Sequence, residues 1–170
     1  TGAQQDIDAA MAYVRQRADV DPTRLIVFAQ SLGGAMGVYN LAHSRWRTEV
    51  KLLVVDSAFS SYQGIAREKM AASWLTWPFQ WLPYLLLDDH YAAQDVAGLL
   101  SPLPVVFIHG TGDQVVPAHH SERLYQAAAT PKQLWLLPNV PHTAGLELLP
   151  NRSRLLSMFE QTLNGIPPAP

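Results

Sequence analysis

The chain has 170 residues, room for one domain, and its 12 lysines and arginines against 14 aspartates and glutamates leave a net charge of −2. That balance excludes a broad basic footprint for nucleic acid, and 48% hydrophobic against 15% charged residues excludes a disordered chain. With no cysteine it holds no disulfide, thiolate metal site or cysteine nucleophile.

The chain starts Thr1-Gly2-Ala3 and reads as a piece of a longer protein. Ile7, Ala10, Met11 and Val14 follow the i, i+3, i+4, i+7 rule, which predicts an amphipathic helix over about residues 3–18 with Asp6 and Asp8 on its wet face. After the Asp21-Pro22 break, the apolar run 25–29 predicts a strand buried on both faces. A turn of small residues then opens a helix over about 33–46. Further buried strands are predicted at 50–56, 104–110 and 133–137. A helix starts at Pro117, and another ends at Asn164-Gly165 before a proline-rich tail, 167–170. This alternation predicts an α/β fold around a mostly parallel sheet. No run of about 18 apolar residues is present to read as a spanning helix.

Residues 57–103 interrupt the alternation and read as a lid-like insertion. Within them 74–87, WLTWPFQWLPYLLL, is apolar and aromatic, broken by Pro78 and Pro83. As one helix it would be roughly 21 Å long, too short to span a bilayer. Trp74, Trp77, Phe79 and Trp81 leave three readings open: a lid or acyl-pocket wall, ordinary core, or contact with a membrane surface or partner. No basic residue accompanies them between 70 and 87, which weakens contact with an anionic membrane.

Ser31 stands directly after the first strand and before a helix, in Ala29-Gln30-Ser31-Leu32-Gly33. A serine on so sharp a turn lifts its hydroxyl above the sheet. The turn asks for small residues two before and two after, here Ala29 and Gly33. The helix head, including the Leu32 amide, faces any negative charge that forms beside the serine. A serine hydroxyl needs a base, and the base needs a carboxylate. Asp113 follows the third strand, in HGTGDQVVP, and His142 follows the fourth, in PNVPH. Both therefore belong to the same sheet edge as Ser31, the edge where ligands gather in such folds. Asp56, ending the second strand, is the rival acid; otherwise it caps the following turn.

The Ser…Asp…His order, the serine turn, the HG-x-x-D-x-x-V-P segment and the PxxPH loop together resemble the α/β-hydrolase fold. They are similar to its serine-hydrolase branch with S9/S33-like peptidases and lysophospholipase-like esterases. The resemblance covers nearly the whole chain but lacks the family's first strands. It implies a triad of Ser31 as nucleophile, His142 as base then acid, and Asp113 as orienter, with Leu32 giving one oxyanion amide. The second amide normally comes from an early loop, so the isolated chain is expected to be nearly inactive, with an open sheet edge at 25–29. The resemblance implies cleavage of an ester, or a thioester or amide, through an acyl-enzyme, on a small-molecule or lipid-like substrate. A peptidase comes second, and a non-catalytic binding module of the same fold is the alternative. No cofactor, metal or nucleic-acid partner is expected. His109 is expected to be a hydrogen-bonded structural histidine, and His119 and His120 solvated or packing residues. Asp88-Asp89-His90 are adjacent and not expected to converge on an ion.

Overall fold

The computed structural model describes residues 2–166; the predicted tail at 167–170 lies outside them. Its elements run in the order α1 (Gly2–Gln16), β1 (Leu25–Gln30), α2 (Leu32–His43), β2 (Val50–Asp56), α3 (Tyr62–Ala71), α4 (Pro83–Leu86), α5 (Ala93–Val96), β3 (Val105–Gly110), α6 (His119–Ala127), β4 (Lys132–Leu137) and α7 (Leu149–Leu163). The four strands form one parallel sheet in the order β1-β2-β3-β4. Parallel pairing needs a crossover between neighbouring strands, and these crossovers cover the sheet faces. The central strands are accordingly apolar on both sides. Leu53, Val55, Val105 and Phe107 pack under α2, α5 and α6, and Leu52, Val54, Val106 and Ile108 pack against Leu155 and Met158 of α7. β1 lies at the edge of this sheet, with Phe28 42% exposed.

The insertion departs from the sequence pattern in two ways. Residues 62–71 form a helix without a single buried residue, so no apolar stripe announced it. Its start is fastened by polar groups instead. The Ser61 hydroxyl accepts from the Gly64 amide at 2.9 Å, and Asp89 accepts from the Tyr62 amide at 2.7 Å and the Ser61 hydroxyl at 2.6 Å. Residues 74–87 do not form one helix. Pro78 and Pro83 each sit in the first turn of a short new element, a 3-10 turn at Trp77–Phe79 and then α4. The later part of the insertion joins the main core, where Ala93, Ala97 and Leu100 are buried. Among the described residues no helix is long and apolar enough to cross a membrane.

Candidate active site

Because all four strands run the same way, the loops after β1, β3 and β4 emerge at one edge. Ser31 follows β1 with φ 54° and ψ −123°, a region a residue with a Cβ occupies at a cost of about 1–3 kcal/mol. The turn is held by the Ser31 amide, which donates to the Asp56 carbonyl at 2.8 Å, and by the Gly34 amide, which donates back to the Ser31 carbonyl at 3.0 Å. The Ser31 side chain makes no capping bond to α2. Its hydroxyl instead lies 3.0 Å from His142 Nε2. Leu32 is the first residue of α2, so its amide belongs to the helix head that has no intrahelical partner.

The steric reason expected for Gly33 does not hold: a Cβ there meets nothing within 4 Å. The crowding falls one residue later. A Cβ on Gly34 would stand 2.6 Å from the Ala58 Cβ and 3.3 Å from the Ala29 carbonyl. Ala29 is itself accommodated by Gly37, whose added Cβ would lie 3.0 Å from the Ala29 Cβ. The helix can thus settle directly on the ends of β1 and β2.

His142 Nδ1 lies 2.6 Å from Asp113 Oδ2. Asp113 Oδ1 accepts from the amides of Val115 at 2.7 Å and Val116 at 2.8 Å, so the buried carboxylate is bonded on both oxygens. His109 is fully buried and structural, as its place in the sequence suggested. Its Nε2 donates to the Val116 carbonyl at 2.8 Å, and Nδ1 therefore accepts from the Ser121 hydroxyl at 2.6 Å. That ring pins the loop carrying Asp113.

Asp56 is not bonded to His142. Its Oδ2 accepts from the Gln30 side-chain Nε2 at 2.8 Å and its Oδ1 from the Ser57 hydroxyl at 3.0 Å. Ser57 in turn accepts from the Thr143 amide at 3.2 Å. Both Ser57 (φ 54°) and Thr143 (φ 59°) have left-handed backbone. The rival acid and the expected turn cap thus resolve into a third role. Asp56 starts a relay of bonds from β1 to the backbone next to His142. Gln30 was singled out only as a neighbour of Ser31, and Ser57 and Thr143 carried no sequence signal at all.

Trp74, Trp77, Phe79 and Trp81 are 88, 58, 50 and 55% exposed. That removes the ordinary-core reading, and at these exposures they enclose no pocket on their own. Asp88 and Asp89 bond backbone and hydroxyl groups around them, Asp89 serving as the clasp of α3. His120 is a buried packing residue and His119 is partly exposed, and both also meet a carboxylate. Their Nε2 atoms lie 3.0 and 3.2 Å from the two carboxylate oxygens of Glu68. Burial pushes the His120 imidazole down to about 4, against the pull of Glu68. Burial also pushes the Glu68 carboxyl up, but His119, His120 and Arg123 outweigh it and hold Glu68 below its usual value.

The family model of the prolyl oligopeptidase family matches residues 1–143. The chain belongs to that family. Among its curated relatives, the uncharacterized protein YfhR of Escherichia coli K12 is 36% identical over 141 residues, covering 83% of this chain and 46% of that protein. The uncharacterized protein Rv2307c of Mycobacterium tuberculosis is 36% identical over 156 residues, covering 91% of this chain and 50% of that protein. The chain thus spans about half the length of these relatives. Among solved structures, the acylaminoacyl peptidase of Pyrococcus horikoshii superposes with a TM-score of 0.71 at 17% identity, over 94% of this chain and 27% of that one. Acetyl xylan esterase 1 of Thermoanaerobacterium superposes at 0.66 and 19% identity, over 95% of this chain and 51% of that one. The fold is the α/β-hydrolase fold, and the family is one of serine hydrolases.

Proposed function

We propose that the protein cleaves an acyl bond, an ester first of all, through a covalent acyl-serine intermediate. Ser31 attacks the carbonyl carbon while His142 Nε2 takes the hydroxyl proton. The imidazolium then gives that proton to the leaving group, and a water activated by the same nitrogen releases the acid. Asp113 holds the ring with Nδ1–H toward itself and balances the imidazolium charge. The Leu32 amide at the head of α2 is one donor to the developing oxyanion. The strained turn at Ser31 serves as a nucleophile elbow, presenting the hydroxyl without a capping bond. The observation that carries this reading is the position of His142, with one ring nitrogen 3.0 Å from Ser31 Oγ and the other 2.6 Å from Asp113 Oδ2.

The exposed aromatic segment at 74–87 favours an apolar acyl group or a lipid-like ester. It acts as a lid or docking wall for such a substrate, and brings the site against a membrane surface when the ester is held there. A peptide bond is the second reading, favoured by the family match. A fluorophosphonate probe tests the chemistry. The reading expects stoichiometric labelling of the full-length protein, and loss of it in Ser31→Ala. Labelling that survives in Ser31→Ala overturns it, and none at all in folded full-length protein overturns it and leaves the fold as a binding module. Nitrophenyl esters of increasing chain length against peptidyl anilides separate the two substrate classes.

A further inference from the structure

We propose that Glu68, His119 and His120 form a site for a divalent transition-metal ion of zinc's character, joining α3 to α6. One ligand atom from each residue lies within 4.8 Å of the others. The two imidazoles are stacked with centroids 4.7 Å apart and planes 28° apart, so two adjacent residues aim their Nε2 atoms at one carboxylate from another helix. Two histidines and a glutamate are a donor set that zinc accepts while keeping a fourth position open. Metal–ligand bonds of about 2.0–2.2 Å put neighbouring ligands of a tetrahedral ion roughly 3.4 Å apart. Each histidine stands near that spacing from a different oxygen of the Glu68 carboxylate, 3.0 Å from Oε1 for His119 and 3.2 Å from Oε2 for His120, so the carboxylate turns slightly to offer one ion a ligand.

A plain ion-pair cluster leaves one atom unexplained. His120 is fully buried, and its Nε2 has no hydrogen-bond partner among the described residues, although Glu68 Oε2 is near. A buried polar nitrogen without a partner is costly, and an ion would satisfy it. His120 Nδ1 lies 3.0 Å from the Ser60 hydroxyl and 3.2 Å from the Ser60 amide. In the metal-free ring the amide donates to Nδ1 and the proton sits on Nε2. With an ion on Nε2 the proton moves to Nδ1 and is donated to Ser60 Oγ, the outer hydrogen bond that orients metal-bound histidines, and the Ser60 amide gives up its bond to the ring. No net proton is gained or lost by the ring.

Access and space are also present. Glu68 and Arg123 line a cavity of about 380 Å³ that neither histidine lines, so an ion and a water would reach the cluster from the Glu68 side. Arg123 Nη1, 3.4 Å from Glu68 Oε1 with its side chain 49% exposed, is the cation an incoming ion displaces. The ion would staple the insertion to the loop carrying Asp113, since the neighbouring Lys69 ammonium already donates to the Gln114 carbonyl of that loop.

The test is titration of chelator-treated protein with Co²⁺, followed by its visible absorption and by competition with Zn²⁺. One ion per chain is expected, with the intense bands of four-coordinate cobalt. His119→Ala, an exposed position, is expected to lower affinity at least about tenfold, and Ser60→Ala about 10–100-fold. Arg123→Gln is expected to bind several-fold tighter, and His142→Ala as tightly as the parent. Zinc at about a hundredfold above its Kd is expected to raise Tm by roughly 5–10 °C. Absence of a saturable four-coordinate spectrum overturns the proposal. So does unchanged affinity in both His119→Ala and Arg123→Gln, or loss of binding in His142→Ala.

Discussion

Three histidines, His109, His120 and His142, each stand between a serine and a carboxylate, and only His142 has the surroundings for acyl transfer. His142 keeps Nδ1 on Asp113 and Nε2 on Ser31, with its side chain 19% exposed. His120 has the reverse arrangement, Nδ1 on Ser60 and Nε2 toward Glu68, and both His120 and Ser60 are fully buried. No substrate carbonyl reaches a serine with no exposed surface. Ser31 also sits at the head of a twelve-residue helix on a strained turn, whereas the Ser60 hydroxyl points back into the packing between α3 and α6. What separates the two clusters is access and backbone posture rather than residue type.

The comparison breaks most sharply at the carboxylates. Asp113→Asn is expected to lower ester turnover about 10⁴-fold, because the amide favours the wrong tautomer of His142. Glu68→Gln is expected to leave turnover within about twofold of the parent. Equal losses in both variants, measured as kcat/KM, would remove the distinction.

The next effect is on stability. Burial pushes the native His120 imidazole down to about 4 from an ordinary value of 6.5. Stability is therefore undiminished above pH 6.5 and falls as the pH drops toward 4, since the unfolded chain takes up the proton first. The loss reaches at most roughly 3 kcal/mol across that window. Urea unfolding at pH 7 and pH 5 measures it, and His120→Gln should flatten the slope.

A smaller effect sharpens the posture argument. Gly34→Ala drives a Cβ into Ala58 and is expected to cost about 1–3 kcal/mol, while Gly33→Ala stays within about 0.5 kcal/mol. Thermal unfolding of the pair shows whether the crowding lies where α2 meets β2. The smallest effect concerns the relay through Asp56. Ser57→Ala is expected to reduce kcat about tenfold with KM unchanged, because it loosens the backbone next to His142. A change confined to KM would assign Ser57 to substrate binding instead.

Much of the site was legible in the chain. Ser31, Asp113 and His142 each follow a continuous apolar run, and a parallel sheet sends the ends of such runs to one edge. The family-like HGTGDQVVP and PNVPH segments marked which loop residues mattered. The relay through Gln30, Asp56, Ser57 and Thr143 was not legible. Its members are ordinary polar residues whose partners lie 26 and 86 positions away. The Glu68 cluster was hidden for a related reason. α3 buries no side chain, so no periodicity revealed the helix that brings Glu68 to His119 and His120.

By itself the order of apolar runs and turns determined the strand–helix alternation, the parallel sheet and the edge on which Ser31, Asp113 and His142 emerge, because burial on both faces leaves such strands few other arrangements. Only the tertiary structure decided that Asp113 rather than Asp56 bonds His142, that Gly34 rather than Gly33 is crowded, and that the tryptophans lie outside the core. Those outcomes depend on distances of a few tenths of an ångström between segments far apart in the chain, and local sequence carries no record of them.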